Sequence, residues 1–366
     1  MPEHKHIALL CSHLNKFGGY ERIVSNTASL FAENGEQITL LLLNDTTDPW
    51  FPLHKNVKLV KFPLSFGITE KGNMFSRKLR MLRDILALRK KLKELKISLV
   101  ICTEFEYGAA AIFGKRHKKI KKAAWEHEHF NLRPKNKFWN AVFKYTYPKL
   151  DAIICLNEDE KMLFKPFNKN VIVIPNFVER SGKFSGLHNK VILSVSRLTE
   201  MKGIAYLLQT AKLVLQKYPD WQWKIIGEGE MQETISVFIE KENLQNKLIL
   251  QKPVGHNINP EYQNASMFVM TSRSESFSMV LLEAMSNGLP CIAFDCDTGP
   301  RHIIRHNEDG ILVEKESPGK LAEAIDSLIS NEEKRKKMGA NAIANVQRFY
   351  PEVIYQLWKK EIFALK

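Results

Sequence analysis

Two carboxylates, Glu275 and Glu283, stand eight positions apart in TSRSESFSMVLLEAMSNGLP, residues 271 to 290. On one continuous helix that spacing would turn the second about 80° from the first and carry it roughly 12 Å along the axis. That is too far for a close general acid/base couple. Ser278 is a good N-cap for MVLLEAMSN, and Gly288 followed by Pro290 ends it. Glu275 is therefore expected in the loop before the helix, and Glu283 in its second turn. Between them lies a helix N-terminus, whose free N–H groups and dipole favour a phosphate. Carboxylates do not bind phosphate but suit hydroxyl groups, and a nucleotide sugar carries hydroxyls on both sides of its diphosphate. The neighbours Ser276, Phe277, Val280, Leu281 and Leu282 argue against two solvated surface acids.

A diphosphate needs cations. SRLTEMKG supplies Arg197 just past an apolar strand and Lys202 five residues later, at the start of a helix. A forked donor set and a point charge make a workable pair for pyrophosphate oxygens. Near the N-terminus, Gly18-Gly19 permits close backbone approach to a ligand, but it is not the GxGxxG dinucleotide fingerprint. Without those glycines, Asp45 after the second strand reads as a loop residue. His127 and His129 follow an apolar strand in AAWEHEHFN; two positions apart in an extended chain, they point to opposite faces and do not form a metal site.

These residues sit on alternating strands and helices. HIALLC, QITLLLL, SLVICT, KAAWEH, DAIICL and NVIVIPN read as strands, with helices at ERIVSNTASLFAENG and RKLRMLRDILALRKKLKEL. A polar stretch, VERSGKFSGLHNK (178 to 190), looks like a linker. The pattern then restarts with VILSVSR, GIAYLLQTAKLVLQKYP, WQWKIIGEGE, KLILQKPV, SMFVMTS, PCIAFD and GILVE. The end is helical, with a break near Pro351. Two consecutive α/β domains with parallel sheets follow, and ligands are expected in the crevice where their strand ends face each other.

A length of 366 residues fits two domains, and apolar and charged fractions of 44% and 26% are those of a soluble globular protein. Five scattered cysteines form no CxxC or Cys/His spacing and read as free thiols in a reducing cytosol. The N-terminal apolar run is too short for a signal peptide, and no run approaches a membrane span. The net charge of +14 is local: residues 77 to 149 hold 20 Lys/Arg against 6 Asp/Glu, and the rest balances.

Taken together, the residues resemble the retaining glycosyltransferases of family 4, which have the GT-B fold of two Rossmann-like domains facing across a cleft. The resemblance covers nearly the whole chain. Its most specific element is the E-x7-E motif from Glu275 to Glu283, supported in order by GGYER, WEH, IPN at 174 to 176, SRLTEMKG, GEGE at 227 to 230, TGPRHII and DGILV. It implies an acceptor domain over 1–178, a linker over 179–189, a donor domain over 190–348, and a terminal helix over 349–366 returning to the first domain.

It also implies roles. Glu275 would face the donor hexose and Glu283 the ribose; Arg197 and Lys202 would hold the diphosphate. Ser276, Phe277 and Ser278 would complete the donor site, Gly18-Gly19 would close over phosphate and sugar, and His127 or, two positions on, His129 would contact the sugar. Gly299-Pro300-Arg301-His302 departs from the Gly-Pro-Glu or Gly-Pro-Ser start of the family's donor loop. No DxD-like metal site is evident and no cofactor is implied. Arg197, Lys202 and helix N-termini are then expected to stabilise the leaving diphosphate, with front-face attack.

The resemblance implies a nucleotide-sugar donor, UDP-linked, and a glycan or lipid-linked acceptor in bacterial polysaccharide or lipopolysaccharide assembly. Two other readings compete: a sugar-nucleotide epimerase of the same fold, and a nucleic-acid binder using RPKNKFWNAVFKYTYPK. No recognised nucleic-acid motif accompanies that segment, so no nucleic-acid partner is expected. The basic region is expected instead to hold the enzyme at the anionic inner face of the membrane, peripheral and cytoplasmic. In RKLRMLRDILALRKKLKEL, the apolar side with Leu79, Leu82, Ile85, Leu86 and Leu92 is expected to pack, with the cations solvated.

Overall fold

HIALLC and QITLLLL carry almost no polar side chain, because strands buried on both faces cannot expose one. In the computed structural model, which describes residues 5–44, 46–64, 74–104, 120–132, 137–255 and 257–365, such runs form two parallel sheets in two units. One unit comprises Met1–Pro175 with Glu352–Lys366, the other Asn176–Pro351. Asp45 and parts of the basic segments, 115–119 and 133–136, lie outside the described residues.

The first unit holds β1 (His6–Cys11), β2 (Gln37–Leu42), β3 (Lys58–Lys61), β4 (Leu99–Cys102), β5 (Lys121–Trp125), β6 (Ala152–Cys155) and β7 (Val171–Val173). Their order is β3-β2-β1-β4-β5-β6-β7, all parallel. The order reverses direction between β1 and β4, which makes their carboxyl ends the unit's topological switch point. The helix Met74–Glu94 covers one face, burying Ile85, Leu88 and Leu92 against Ala8, Leu10 and Leu41. Only part of its apolar side packs. Leu79, Leu82 and Leu86 are exposed, contrary to the expectation from periodicity.

The C-terminal segment belongs to the first unit. Pro351 opens a helix rather than merely breaking one, since its fixed φ suits a first helical turn. From that helix and the turn after it, Tyr355, Trp358 and Phe363 surround Phe31, the latter two edge-on at 5.3 and 5.0 Å. Trp358 also meets Trp125 at 5.0 Å, and Tyr355 Oη donates to Glu36 at 3.0 Å.

The second unit repeats the plan with β8 (Val191–Val195), β9 (Gln222–Ile226), β10 (Leu248–Gln251), β11 (Met267–Met270), β13 (Cys291–Phe294) and β15 (Gly310–Val313). The order is β10-β9-β8-β11-β13-β15, so the switch point falls between β8 and β11. Two short strands, β12 (Ser274–Glu275) and β14 (Asp297–Thr298), pair outside this sheet. The polar stretch 178–190 is bound into the unit. Ser286 Oγ donates to Glu179 O and Ser185 N to Asn287 O, and Arg335 Nε, itself buried, donates to Leu187 O. Its polar composition serves these bonds and not a free tether.

Candidate functional site

In the second unit the chemistry-bearing residues gather past the carboxyl ends of β8 and β11. After β8 the chain runs through Arg197 into a 3-10 turn, Glu200–Lys202, and Gly203 at φ +66° opens the helix Ile204–Lys217. A Cβ on Gly203 would lie 2.0 Å from the Thr271 carbonyl oxygen, so glycine is required by both φ and contact. Thr271 Oγ1 donates to Lys202 O at 3.0 Å and Arg273 N to Met201 O at 2.9 Å, which clamps the two loops together. Gly227, the first residue of GEGE, admits the end of β9 to the same corner: its Cβ would sit 1.9 Å from Ser196 O.

Lys202 and Glu275 meet there. Lys202 Nζ donates to Glu275 Oε1 at 2.6 Å, and Ser272 Oγ donates to the same oxygen at 2.7 Å. The two side chains are 18% and 13% exposed, so the charge-assisted bond is shielded from water. Glu275 was expected in a loop and lies instead in β12. Its carbonyl accepts from Thr298 Oγ1 at 2.8 Å and Gly299 N at 2.9 Å. Thr298 holds φ +71°, a region β-branched residues rarely adopt, at a cost of about 1–3 kcal/mol offset by these bonds. Arg197 is exposed, and its guanidinium pairs with no described residue.

Ser278 is the N-cap of helix Met279–Ser286 by position, but its hydroxyl donates to Met270 Sδ at 3.1 Å. Neither this helix nor Ile204–Lys217 has a side-chain cap, so both present first-turn N–H groups to an anion. Glu283 lies in the second turn, buried, and accepts from Tyr262 Oη at 2.9 Å. Phe277 is buried edge-on against Phe349 at 5.7 Å, so it supports the wall from behind. Ser276 is half-buried, and Gly299 leads into the turn Pro300–His302, where Arg301 Nε donates to Asp295 at 2.9 Å.

In the first unit, Gly18 caps the helix Gly19–Glu33 in extended conformation, and the Glu21 carboxylate folds over it, 2.2 Å from where a Cβ would stand. At the switch point, Glu104 Oε1 accepts from Ser12 N at 2.9 Å, Ser12 Oγ at 2.6 Å and Tyr20 Oη at 2.8 Å. The two histidines differ. His129 is buried with Nε2 3.6 Å from Glu160, and its Nδ1 accepts from Asn131 N at 3.1 Å. His127 lies between Trp125 and Tyr20, at 4.2 and 5.2 Å, and its Nε2 has no partner among the described residues.

Burial pushes the His127 imidazole down to about 3, so it is neutral at physiological pH. An unfolded histidine binds its proton near 6.5, whereas the folded one resists it. The stability contribution is fully present above that pH and is lost as pH falls toward 3, at about 1.4 kcal/mol per pH unit. Denaturant titrations at pH 7, 5 and 4 are expected to show wild type losing stability relative to His127→Phe below about pH 6. Parallel pH dependences would contradict this.

Sequence reasoning missed Tyr262, Ser272 and Thr298, which hold the two acids, and the Glu104 cluster. Tyr262 precedes Glu283 by 21 positions with no motif to join them. Among the described residues no three His, Cys, Asp or Glu side chains are placed to share a metal ion.

Two open α/β units, each with charged and polar residues gathered at its switch point, define a protein of two Rossmann-like domains. Glycosyltransferase Family 4 matches residues 17–181, and Glycosyl transferases group 1 matches 178–345. The chain belongs to these GT-B, family-4-type glycosyltransferases. An uncharacterized glycosyltransferase of Haemophilus influenzae is 29% identical, over 97% of this chain and 99% of its own. The amylovoran biosynthesis glycosyltransferase AmsD of Erwinia amylovora is 26% identical, over 96% and 98%. Among solved structures, the pneumococcal O-GlcNAc transferase GtfA, in complex with UDP and GlcNAc, has the same fold, with TM-score 0.77 and 15% identity over 99% of both chains.

Proposed function

We propose that the enzyme moves a hexose or N-acetylhexosamine, with retention, from a UDP-sugar to a glycan or lipid-linked acceptor in cell-surface polysaccharide synthesis. One observation supports this reading: Lys202 bonds to Glu275 beside the uncapped N-terminus of Ile204–Lys217, Arg197 lies on the loop between β8 and that helix, and Glu283 lies in the second turn of the uncapped helix Met279–Ser286. The N-termini and cations suit a diphosphate; the acids suit hydroxyls on either side of it. The amylovoran name of one relative and the UDP and GlcNAc in one structural neighbour support the donor and pathway class. His127 is proposed to contact the transferred sugar as a neutral ring, and Gly18-Gly19 to approach it through the backbone.

In the mechanism proposed, Arg197, Lys202 and the helix N–H groups stabilise the charge that grows on the leaving diphosphate. The acceptor hydroxyl attacks from the same face, and its proton passes to the departing phosphate oxygen. The C–O bond to the acceptor forms as the C–O bond to phosphate breaks. Incubation with a panel of radiolabelled nucleotide sugars and a lipid extract tests the assignment. Label in extractable glycolipid is the expected result; label changed in the nucleotide sugar with no acceptor would make the protein an epimerase.

Activity is expected to be unaffected by excess EDTA, since charge stabilisation falls to side chains and helix ends. A loss restored by magnesium or manganese would refute this. The basic region of the first unit is proposed to draw the enzyme to the anionic inner membrane face, at roughly 1 kcal/mol per engaged Lys/Arg. No helix among the described residues is long and apolar enough to cross a membrane.

A further inference from the structure

The helix Met74–Glu94 has a second apolar side that is exposed among the described residues. Its inward face is accounted for by Ile85, Leu88 and Leu92 in the core. On the outward side Leu79, Leu82 and Leu86 are 60%, 54% and 55% exposed. Arg83, Lys90 and Lys93 are exposed with them. At 100° per residue these six positions fall within an arc of about 100°, a single stripe roughly 21 Å long. The stripe is graded, with leucines in its first half and lysines in its second. Of the two acids in 79–94, Asp84 is buried and only Glu94 is exposed.

We infer that this stripe is a membrane-contact surface, with Leu79, Leu82 and Leu86 entering the headgroup–acyl boundary of an anionic bilayer and Arg83, Lys90 and Lys93 meeting lipid phosphates. A surface helix has no reason to expose three leucines at helical spacing unless an apolar phase receives them. The cations beside them select an anionic one, and long basic side chains keep their charge at the headgroups while their stems lie along apolar material. A second copy of the chain would bring like charges together along the stripe, which disfavours a self-interface. The inference rests on the membrane reading above and adds apolar insertion to charge attraction.

The test uses the full chain with phosphatidylglycerol-containing and pure phosphatidylcholine vesicles. Leu82→Ser/Leu86→Ser, at exposed positions, is expected to lower partitioning onto the anionic vesicles by about tenfold or more, with UDP binding unchanged. All five native cysteines are buried, so an environment-sensitive dye on Leu82→Cys reports one site. Its emission is expected to shift to the blue on anionic vesicles. Binding by the leucine variant equal to wild type, or a bound protein whose dye stays in water, overturns the inference and leaves charge attraction standing. No binding of wild type to either vesicle overturns both. A blue shift that follows protein concentration without lipid would instead identify contact between copies and also overturn it.

Discussion

Arg197→Ala is expected to lower kcat by about 10²–10³-fold, the loss typical when one preorganised donor to developing charge is removed. In the proposed mechanism the negative charge on the leaving diphosphate rises as the glycosidic bond breaks, so the guanidinium would act more strongly on the transition state than on the bound donor. Lys202→Ala is expected to give a similar drop, but with a second effect. Lys202 pairs with Glu275, and its removal leaves that shielded carboxylate with Ser272 Oγ as its remaining side-chain donor among the described residues. Breaking a buried pair from one side costs about 3–5 kcal/mol, less where water has partial access, so Lys202→Ala should melt earlier than wild type. Arg197 is exposed and unpaired among the described residues, so Arg197→Ala should melt as wild type does. Rates near wild type in a folded Arg197→Ala would remove this residue from the transition state.

Glu283→Ala is expected to weaken UDP binding by about 10–100-fold while leaving kcat nearly unchanged. Hydrogen bonds to a charged group contribute about 1.5–3 kcal/mol, and each 1.4 kcal/mol is tenfold in Kd. Ribose contacts are alike in ground and transition states, so the loss should appear in binding. The buried Tyr262 hydroxyl loses this acceptor in the alanine variant, which adds a stability cost of about 1–3 kcal/mol. Glu283→Gln keeps an acceptor for Tyr262 and separates the two effects. Calorimetric titration of UDP into both variants decides it; wild-type affinity in Glu283→Ala would refute the ribose role.

The long elements were legible because burial on both faces of a sheet leaves a continuous apolar run, as in HIALLC and SMFVMTS. The helix bearing Glu283 was legible from its ends, Ser278 and Gly288-Pro290. The strand Lys58–Lys61 was not, since KLVK at a sheet edge needs no apolar run. Nor was the pairing of Ser274–Glu275 with Asp297–Thr298, which depends on loops 23 positions apart meeting in space. Composition made 178–190 resemble a tether, yet its backbone groups bond to the second unit. Periodicity in 77–95 gave the apolar positions but not what covers them, so Leu79, Leu82 and Leu86 were expected in the core. The acids, Arg197 and Lys202 were proposed from residue type and spacing; the bond between Lys202 and Glu275 emerged only from the fold.

The anomeric configuration of the product tests the central claim most directly. The glycan formed from an α-linked UDP-sugar and a lipid extract is isolated, and its new linkage is read by proton NMR. Retaining transfer predicts an α linkage in a product that accumulates with UDP in equal amounts. A β linkage, or release of UDP with no new glycosidic bond, would contradict it.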